Sequence, residues 1–283
     1  MHNPYESRFV GDGPEMAHYL EHGSGEPVVL VHGGGAGADS LTNYFEVIGL
    51  FGQDRRVLAV DMLGFGNSAM PSPAEFEYSM SARTDHLEAF LRNLDLEPSH
   101  LVGNSMGGAS CIELAMRSPA LVRSLTVMGT AGRAKKMDIN TNPNVAPLLN
   151  YDGTEAGMRA ILAALTADFE PPAELVEYRV AQSIRPEAIA AYRATMGWVR
   201  ENGMTFGLED FAKLEVPMHV VHGRHDAVVP LSQALEIVEH TPNASMTLFG
   251  QLGHLVMIEN PLGFVEAVTS FWHDLDRQAV GAR

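Results

Sequence analysis

Gly103-Asn104-Ser105-Met106-Gly107-Gly108 follows the apolar run His100-Leu101-Val102 and leads into a helical-looking segment, Ala109 to Arg117. Together these stretches read as strand, tight turn and helix, with a serine at the turn and glycines on both sides. A G-x-S-x-G turn in that setting lifts the serine hydroxyl out of the backbone at the end of a strand. The glycines are needed because a β-carbon there would collide with the adjoining strand or helix. The helix aims its N-terminus, with its free N–H groups, at charge developing near the serine. Ser105 is the candidate nucleophile.

Outward from this turn the chain alternates short apolar runs with helical patterns. Arg8-Phe9-Val10 and Met16 to Leu20, separated by Gly11-Asp12-Gly13, predict an opening hairpin. Val28–Val31, Arg56–Val60, His100–Val102, Leu125–Met128, Met218–Val221 and Ser245–Phe249 suit buried parallel strands. Helices are expected at Ser81–Leu96, Ala109–Arg117, Leu231–Glu239 and Leu262–Leu275. This alternation predicts an α/β fold, a mostly parallel central sheet flanked by helices. From about Arg133 to Gly207 the rhythm breaks. No strand is evident there, and a Pro/Asn-rich stretch from Asn140 to Asn150 precedes helical patterns at Thr154–Ala167, Pro172–Ile184 and Pro186–Asn202. Residues 133–207 therefore read as a helical lid inserted into a core made of 1–132 and 208–283.

Composition narrows the function classes. The 283 residues carry a formal net charge of -16, which excludes nucleic acid and anionic membrane surfaces as expected partners. A small anionic substrate would need a local cation. Only one cysteine, Cys111, is present, so no internal disulfide forms and a cytoplasmic location is expected. Met1 to Arg8 is polar and reads as no signal peptide, and no run reaches the roughly 20 apolar residues of a membrane span.

A serine nucleophile needs a base, and the base an orienting acid. Asp226, in Gly223-Arg224-His225-Asp226, and His254, in Gln251-Leu252-Gly253-His254, each follow a predicted strand. Both thus fall at strand C-terminal ends, where open α/β sheets hold ligands. Glu259 is the weaker alternative acid. His222 reads as a packed strand-end residue, His32 as a structural hydrogen-bonder and Asp61 as a turn residue. The His32-Gly33-Gly34-Gly35-Ala36-Gly37 loop would supply one oxyanion donor, from Gly34, and Met106 N–H the other. No G-K-[ST] follows the glycines, so a nucleotide site is not expected. The 12 histidines show no metal-ligand spacing, and neither metal nor cofactor is expected.

These passages resemble the α/β-hydrolase superfamily over nearly the whole chain. The finer resemblance is to the meta-cleavage product hydrolases, serine-dependent C–C hydrolases of bacterial aromatic degradation. His32-Gly33-Gly34-Gly35-Ala36-Gly37-Ala38 with Asn43-Tyr44 resembles their glycine loop, and Gly103–Gly108 their serine turn. Glu174-Leu175-Val176-Glu177-Tyr178-Arg179 resembles the helix bearing their substrate-binding arginine. The resemblance implies a 2-hydroxy-6-oxo-2,4-dienoate substrate, cleaved between C5 and C6. It implies a substrate-binding set of Gly35, Asn43, Asn104, Arg179 and Leu255, and a homodimer or higher homo-oligomer. One position departs: the family typically has Trp after the catalytic histidine, and here Leu255 follows His254. Rival readings are a carboxylic-ester hydrolase or lactonase with the same triad, cofactor-free oxygen or peroxide chemistry, and a non-catalytic receptor.

Overall fold

The computed structural model describes residues 1–96, 98–130, 132–134 and 142–281. Its strands are β1 (Glu6–Val10), β2 (Ala17–Gly23), β3 (Pro27–Val31), β4 (Arg56–Val60), β5 (Ser99–Asn104), β6 (Val122–Met128), β7 (Arg133–Ala134), β8 (Met204–Thr205), β9 (Met218–Gly223) and β10 (Ala244–Phe249). The helices are α1 (Ser40–Phe51), α2 (Met80–Asn93), α3 (Ser105–Arg117), α4 (Ala146–Leu149), α5 (Glu155–Leu165) and α6 (Ala173–Ser183). They continue with α7 (Pro186–Asn202), α8 (Leu208–Phe211), α9 (Leu231–His240), α10 (Val256–Glu259) and α11 (Pro261–Gly281).

Eight strands form one sheet in the order β1-β2-β4-β3-β5-β6-β9-β10. The run from β4 to β10 is parallel, and the β1–β2 hairpin adds antiparallel to β4. Central strands are buried on both faces because they are runs of valine and leucine; Val28, Val29 and Leu30 are fully covered. One apolar cluster lies beneath α2, α3 and α9, built on Phe90, Ile112 and Ile237. A second lies beneath α1 and α11, built on Ile48, Phe264 and Trp272. Burying each such side chain contributes roughly 1.5–3 kcal/mol.

Three expectations need correction. Strand β10 is not doubly buried: its residues are half-buried or exposed, since it closes the sheet's edge. Helix α3 begins at Ser105, four residues before the expected Ala109. The 133–207 segment does contain strand, because Arg133–Ala134 pairs antiparallel with Met204–Thr205, joining the segment's two ends. Between these short strands run α4 to α7; Asn140 and Thr141 of the expected Pro/Asn-rich stretch lie outside the described residues. Met158, Ile161 and Leu162 of α5 are fully buried in the second cluster, so apolar packing fastens this segment to the sheet's upper edge.

Candidate active site

The register sets the site. Gly103 pairs with Val31 and Asn104 with Met128, so the C-terminal ends of β3, β5 and β6 lie side by side. Ser105 leaves β5 with φ +51°, a left-handed conformation that a side chain adopts only under constraint. The glycines make the turn possible. A β-carbon on Gly103 would lie 2.6 Å from Gly108 Cα, and one on Gly107 would lie 2.4 Å from the His32 carbonyl oxygen.

Asp226 and His254 come together from the loops after β9 and β10, with His254 Nδ1 2.8 Å from Asp226 Oδ2. Beside a carboxylate, Nδ1 carries the proton and donates it, which leaves Nε2 as the free basic nitrogen. The other carboxylate oxygen, Oδ1, accepts from Val228 N–H at 2.9 Å and Val229 N–H at 2.8 Å. Burial alone pushes the Asp226 carboxyl up. His254 and the Val229 amide outweigh that and hold its pKa below the ordinary value, so it remains a carboxylate. The loop carrying His254 is fastened to the end of α5, because Leu165 C=O accepts from both His254 N–H (2.9 Å) and Leu255 N–H (3.2 Å).

The rival residues have other employment. Glu259 receives Gly253 N–H at 2.9 Å and Ala167 N–H at 2.8 Å, so it ties the His254 loop to the residue beyond α5. His32 donates from Nδ1 to Gly33 C=O (2.8 Å) and accepts Met62 N–H at Nε2 (2.9 Å). Burial lowers its pKa, so it stays neutral and structural. Buried Asp61 pairs with His18 at 2.6 Å and receives Ser40 N–H and Asn67 N–H, the work of a turn residue. His222 is buried, donates to Val229 C=O at 3.1 Å, and has its pKa lowered by burial.

Ser105 and His254 face one cavity of about 110 Å³ between the sheet's edge and the α4–α7 segment. Gly34, Gly35, Asn43, Asn104, Met106, Arg179 and Leu255 line the same cavity. Gly34 and Met106 are in close contact: a β-carbon on Gly34 would lie 2.4 Å from Met106 Cε. At Gly35 a β-carbon would meet only Leu165 at 3.9 Å and Arg179 Nη2 at 4.0 Å, so this glycine leaves room beside the guanidinium. The remaining wall is apolar, with Val145, Leu148, Val199, Met204 and Leu255 among it. Met196 and Met204 are also in the wall, whereas Met158 is core.

Arg179 is the outstanding group. It is 1% exposed, and its Nη2 donates to Asn43 Oδ1 at 3.0 Å. Among the described residues its Nε and Nη1 have no hydrogen-bond partner, and no carboxylate lies within 4.0 Å of it. Burial draws its pKa down to about 10, partly offset by the more distant Asp39, so the guanidinium stays charged at neutral pH. Asn104 donates to Met128 C=O at 3.2 Å, while its buried Oδ1 has no partner among the described residues. A buried cation with free donors beside an unpaired amide oxygen is a site shaped for an anion that also carries a hydroxyl.

Sequence reading missed several supports. Gly129, directly after β6, has φ +50°, and a β-carbon there would lie 2.7 Å from His254 Nδ1 and 3.1 Å from Asp226 Oδ2. A glycine closing an apolar strand at the sheet's functional edge was the readable signal. Asp39 caps α1, receiving Thr42 N–H at 2.7 Å, and accepts the Tyr178 hydroxyl at 2.9 Å. Adjacent residues of α6, Tyr178 and Arg179, thus bond to Asp39, the N-cap of α1, and to Asn43, about one helical turn further on.

The chain belongs to the α/β-hydrolase family: the pattern of the alpha/beta hydrolase fold matches residues 26–261. Within it, the chain is similar to the 2-hydroxy-6-oxo-6-(2'-aminophenyl)hexa-2,4-dienoic acid hydrolase of Metapseudomonas resinovorans. The two are 38% identical over 270 residues, covering 94% of this chain and 91% of the relative. A 2-hydroxymuconate semialdehyde hydrolase of Pseudomonas sp. (strain CF600) is 32% identical over 92% of this chain and 91% of its own length. Among solved structures, a serine hydrolase involved in carbazole degradation superposes with a TM-score of 0.85 at 35% identity, covering 95% of this chain and 99% of that one.

Proposed function

We propose that this protein is a serine-dependent hydrolase of 2-hydroxy-6-oxo-2,4-dienoates, cleaving the C5–C6 bond to give a 2-hydroxypentadienoate and a carboxylic acid. The observation that carries the reading is Arg179, a buried cation with two unpartnered nitrogens in the cavity that holds Ser105. A simple ester offers no group that would need it, whereas the carboxylate end of a dienoate does.

In this mechanism Arg179, Asn43 and Asn104 hold the carboxylate and 2-hydroxyl, and Gly35 leaves space for them. The 2-hydroxyl loses its proton and C5 gains one, so the dienol becomes a C2 ketone conjugated with the C3–C4 double bond. His254 Nε2 then removes the Ser105 hydroxyl proton as Oγ attacks C6. Asp226 stabilises the imidazolium, and Gly34 and Met106 N–H groups receive the oxyanion. When the tetrahedral intermediate collapses, the C5–C6 electrons flow through the enone to the C2 oxygen, and His254 supplies the proton that completes the hydroxydienoate. Water, deprotonated by His254, frees the acyl group from Ser105. The C6 substituent lies against the apolar wall, where Leu255 leaves more room than Trp would. Residues 133–207 act as a lid that shields the site from bulk water and leaves access to the one water that frees the acyl group. The resemblance further supports a homodimer or larger assembly, and the single buried Cys111 suits a cytoplasmic setting.

Ring-fission dienoates absorb strongly, so bleaching on mixing with the purified protein reads the reaction directly. Ser105→Ala should abolish it. Arg179→Gln removes charge-assisted contacts worth roughly 1.5–3 kcal/mol and should lower kcat/KM by roughly 10- to 150-fold. If no alkyl or aryl dienoate bleaches while aryl esters are cleaved rapidly, the protein is an ester hydrolase instead.

A further inference from the structure

A second, larger cavity of about 330 Å³ lies against the first, between the loop after β4 and helices α6 and α7. The two share Leu149 and Met196 in their walls, so these apolar side chains stand at the boundary between them. Ile189, Arg193, Met196 and Arg200 repeat at helical spacing along α7 and turn one face of that helix to this space. Its charge runs against that of the molecule. The whole chain has 19 basic and 35 acidic residues, yet among the described residues the lining holds Arg185, Arg193 and Arg200 against Asp152 alone. Arg185 is partly engaged, by the Gly66 and Gln182 carbonyls and by Glu187 at 3.8 Å. Asp152 is engaged too, by Thr154 N–H at 3.0 Å and its hydroxyl at 2.7 Å. Arg193 and Arg200 are exposed to the cavity mouth. An anion approaching a chain of net charge -16 is repelled, except where local cations reverse the potential.

We propose that the outer cavity is the port for carboxylate-bearing substrates: Arg193 and Arg200 capture the anion, and it passes between Leu149 and Met196 to Arg179. This rests on the dienoate reading above, because a neutral ester gains nothing from such a port. The port lowers the barrier to passage in both directions and makes no contact with the seated substrate. Removing its charge therefore slows association and dissociation together.

Stopped-flow binding of a chromophoric dienoate to Ser105→Ala protein, which does not turn it over, separates the possibilities. Adding Arg193→Gln and Arg200→Gln should slow association roughly three- to tenfold at low ionic strength, within the range of electrostatic steering. Kd should change much less, and the difference should vanish near 0.5 M salt, where screening is effective within a few ångström. A second variant, Met196→Trp, narrows the passage and should slow both rates at every salt concentration. If the double arginine variant associates at the parental rate in low salt, or Met196→Trp leaves both rates unchanged, the port is wrong and the function stands. If Ser105→Ala protein binds no dienoate, the functional reading fails and takes the port with it.

Discussion

Gly129 shows how much of the site depends on an atom that is missing. Its φ of +50° is a conformation L side chains rarely adopt, and its absent β-carbon would sit 2.7 Å from His254 Nδ1. Alanine there must either push the imidazole off Asp226 or strain the backbone. Gly129→Ala is thus expected to cost about 1–2 kcal/mol of stability and to lower kcat at least tenfold while the fold survives. A urea midpoint and a steady-state assay check both halves; wild-type kcat would mean that His254 has slack that the close approach denies. That Ser105, Asp226 and His254 fall at one end of the sheet was readable because each sits where a strand must end in a loop. Arg179 was readable only through resemblance, since a buried arginine and a solvated one have the same letter. Gly129 was harder still, because its role arises from an approach between loops some hundred residues apart in the chain.

At the scale of elements, one carboxylate joins two parts of the molecule. Glu259, on α10, receives the amides of Gly253 and Ala167, so the His254 loop and the residues beyond α5 share one anchor. Glu259→Ala leaves two amides without that acceptor, at a cost of about 1–3 kcal/mol, and loosens the loop that positions His254. Glu259→Gln keeps a single acceptor oxygen and should lose less. Faster hydrogen exchange at the Gly253 and Ala167 amides, in the order Ala, Gln, wild type, would report this directly; equal rates in all three would show that Leu165 C=O alone fixes the loop. The strands and long helices were legible from apolar periodicity. Helix α1 was not, because three residues of its first turn, Ser40, Thr42 and Asn43, are turn-forming or β-branched. It forms because Asp39 and Thr42 cap one another and Val47, Ile48 and Phe51 are buried. The β7–β8 pair was invisible for a different reason: two residues per strand carry no periodicity, and their partners are about seventy residues apart.

For the molecule as a whole, burial of histidine sets the response to acid. Burial lowers His86, His100 and His219 to about 4, with Glu26 partly opposing this at His100. His32 and His222 shift the same way for the same reason. In the unfolded chain a histidine titrates near its ordinary 6.5, so between about pH 6 and 4.5 the unfolded state binds protons that the fold refuses. Stability from these groups is fully present above 6.5 and is lost as pH falls toward 4. Asp39 acts in the opposite sense. Burial and nearby Asp61 raise it to about 6, so in the same window the folded state takes up a proton that the unfolded chain does not. The three histidines against Asp39 leave about two protons net, or roughly 2.5 kcal/mol per pH unit near pH 5.3. Asp39→Asn tests the balance cleanly, because asparagine can cap α1 and still meet Tyr178. It removes the opposing proton and should steepen the acid fall in unfolding free energy by about 1 kcal/mol per pH unit, whereas His219→Gln should flatten it by a similar amount. Denaturant titrations at half-unit steps from pH 6.5 to 4.5 give the slopes. Parallel curves for wild type and Asp39→Asn would mean that Asp39 is ionised in the fold throughout, held so by Thr42, Tyr178 and the neighbouring Arg179.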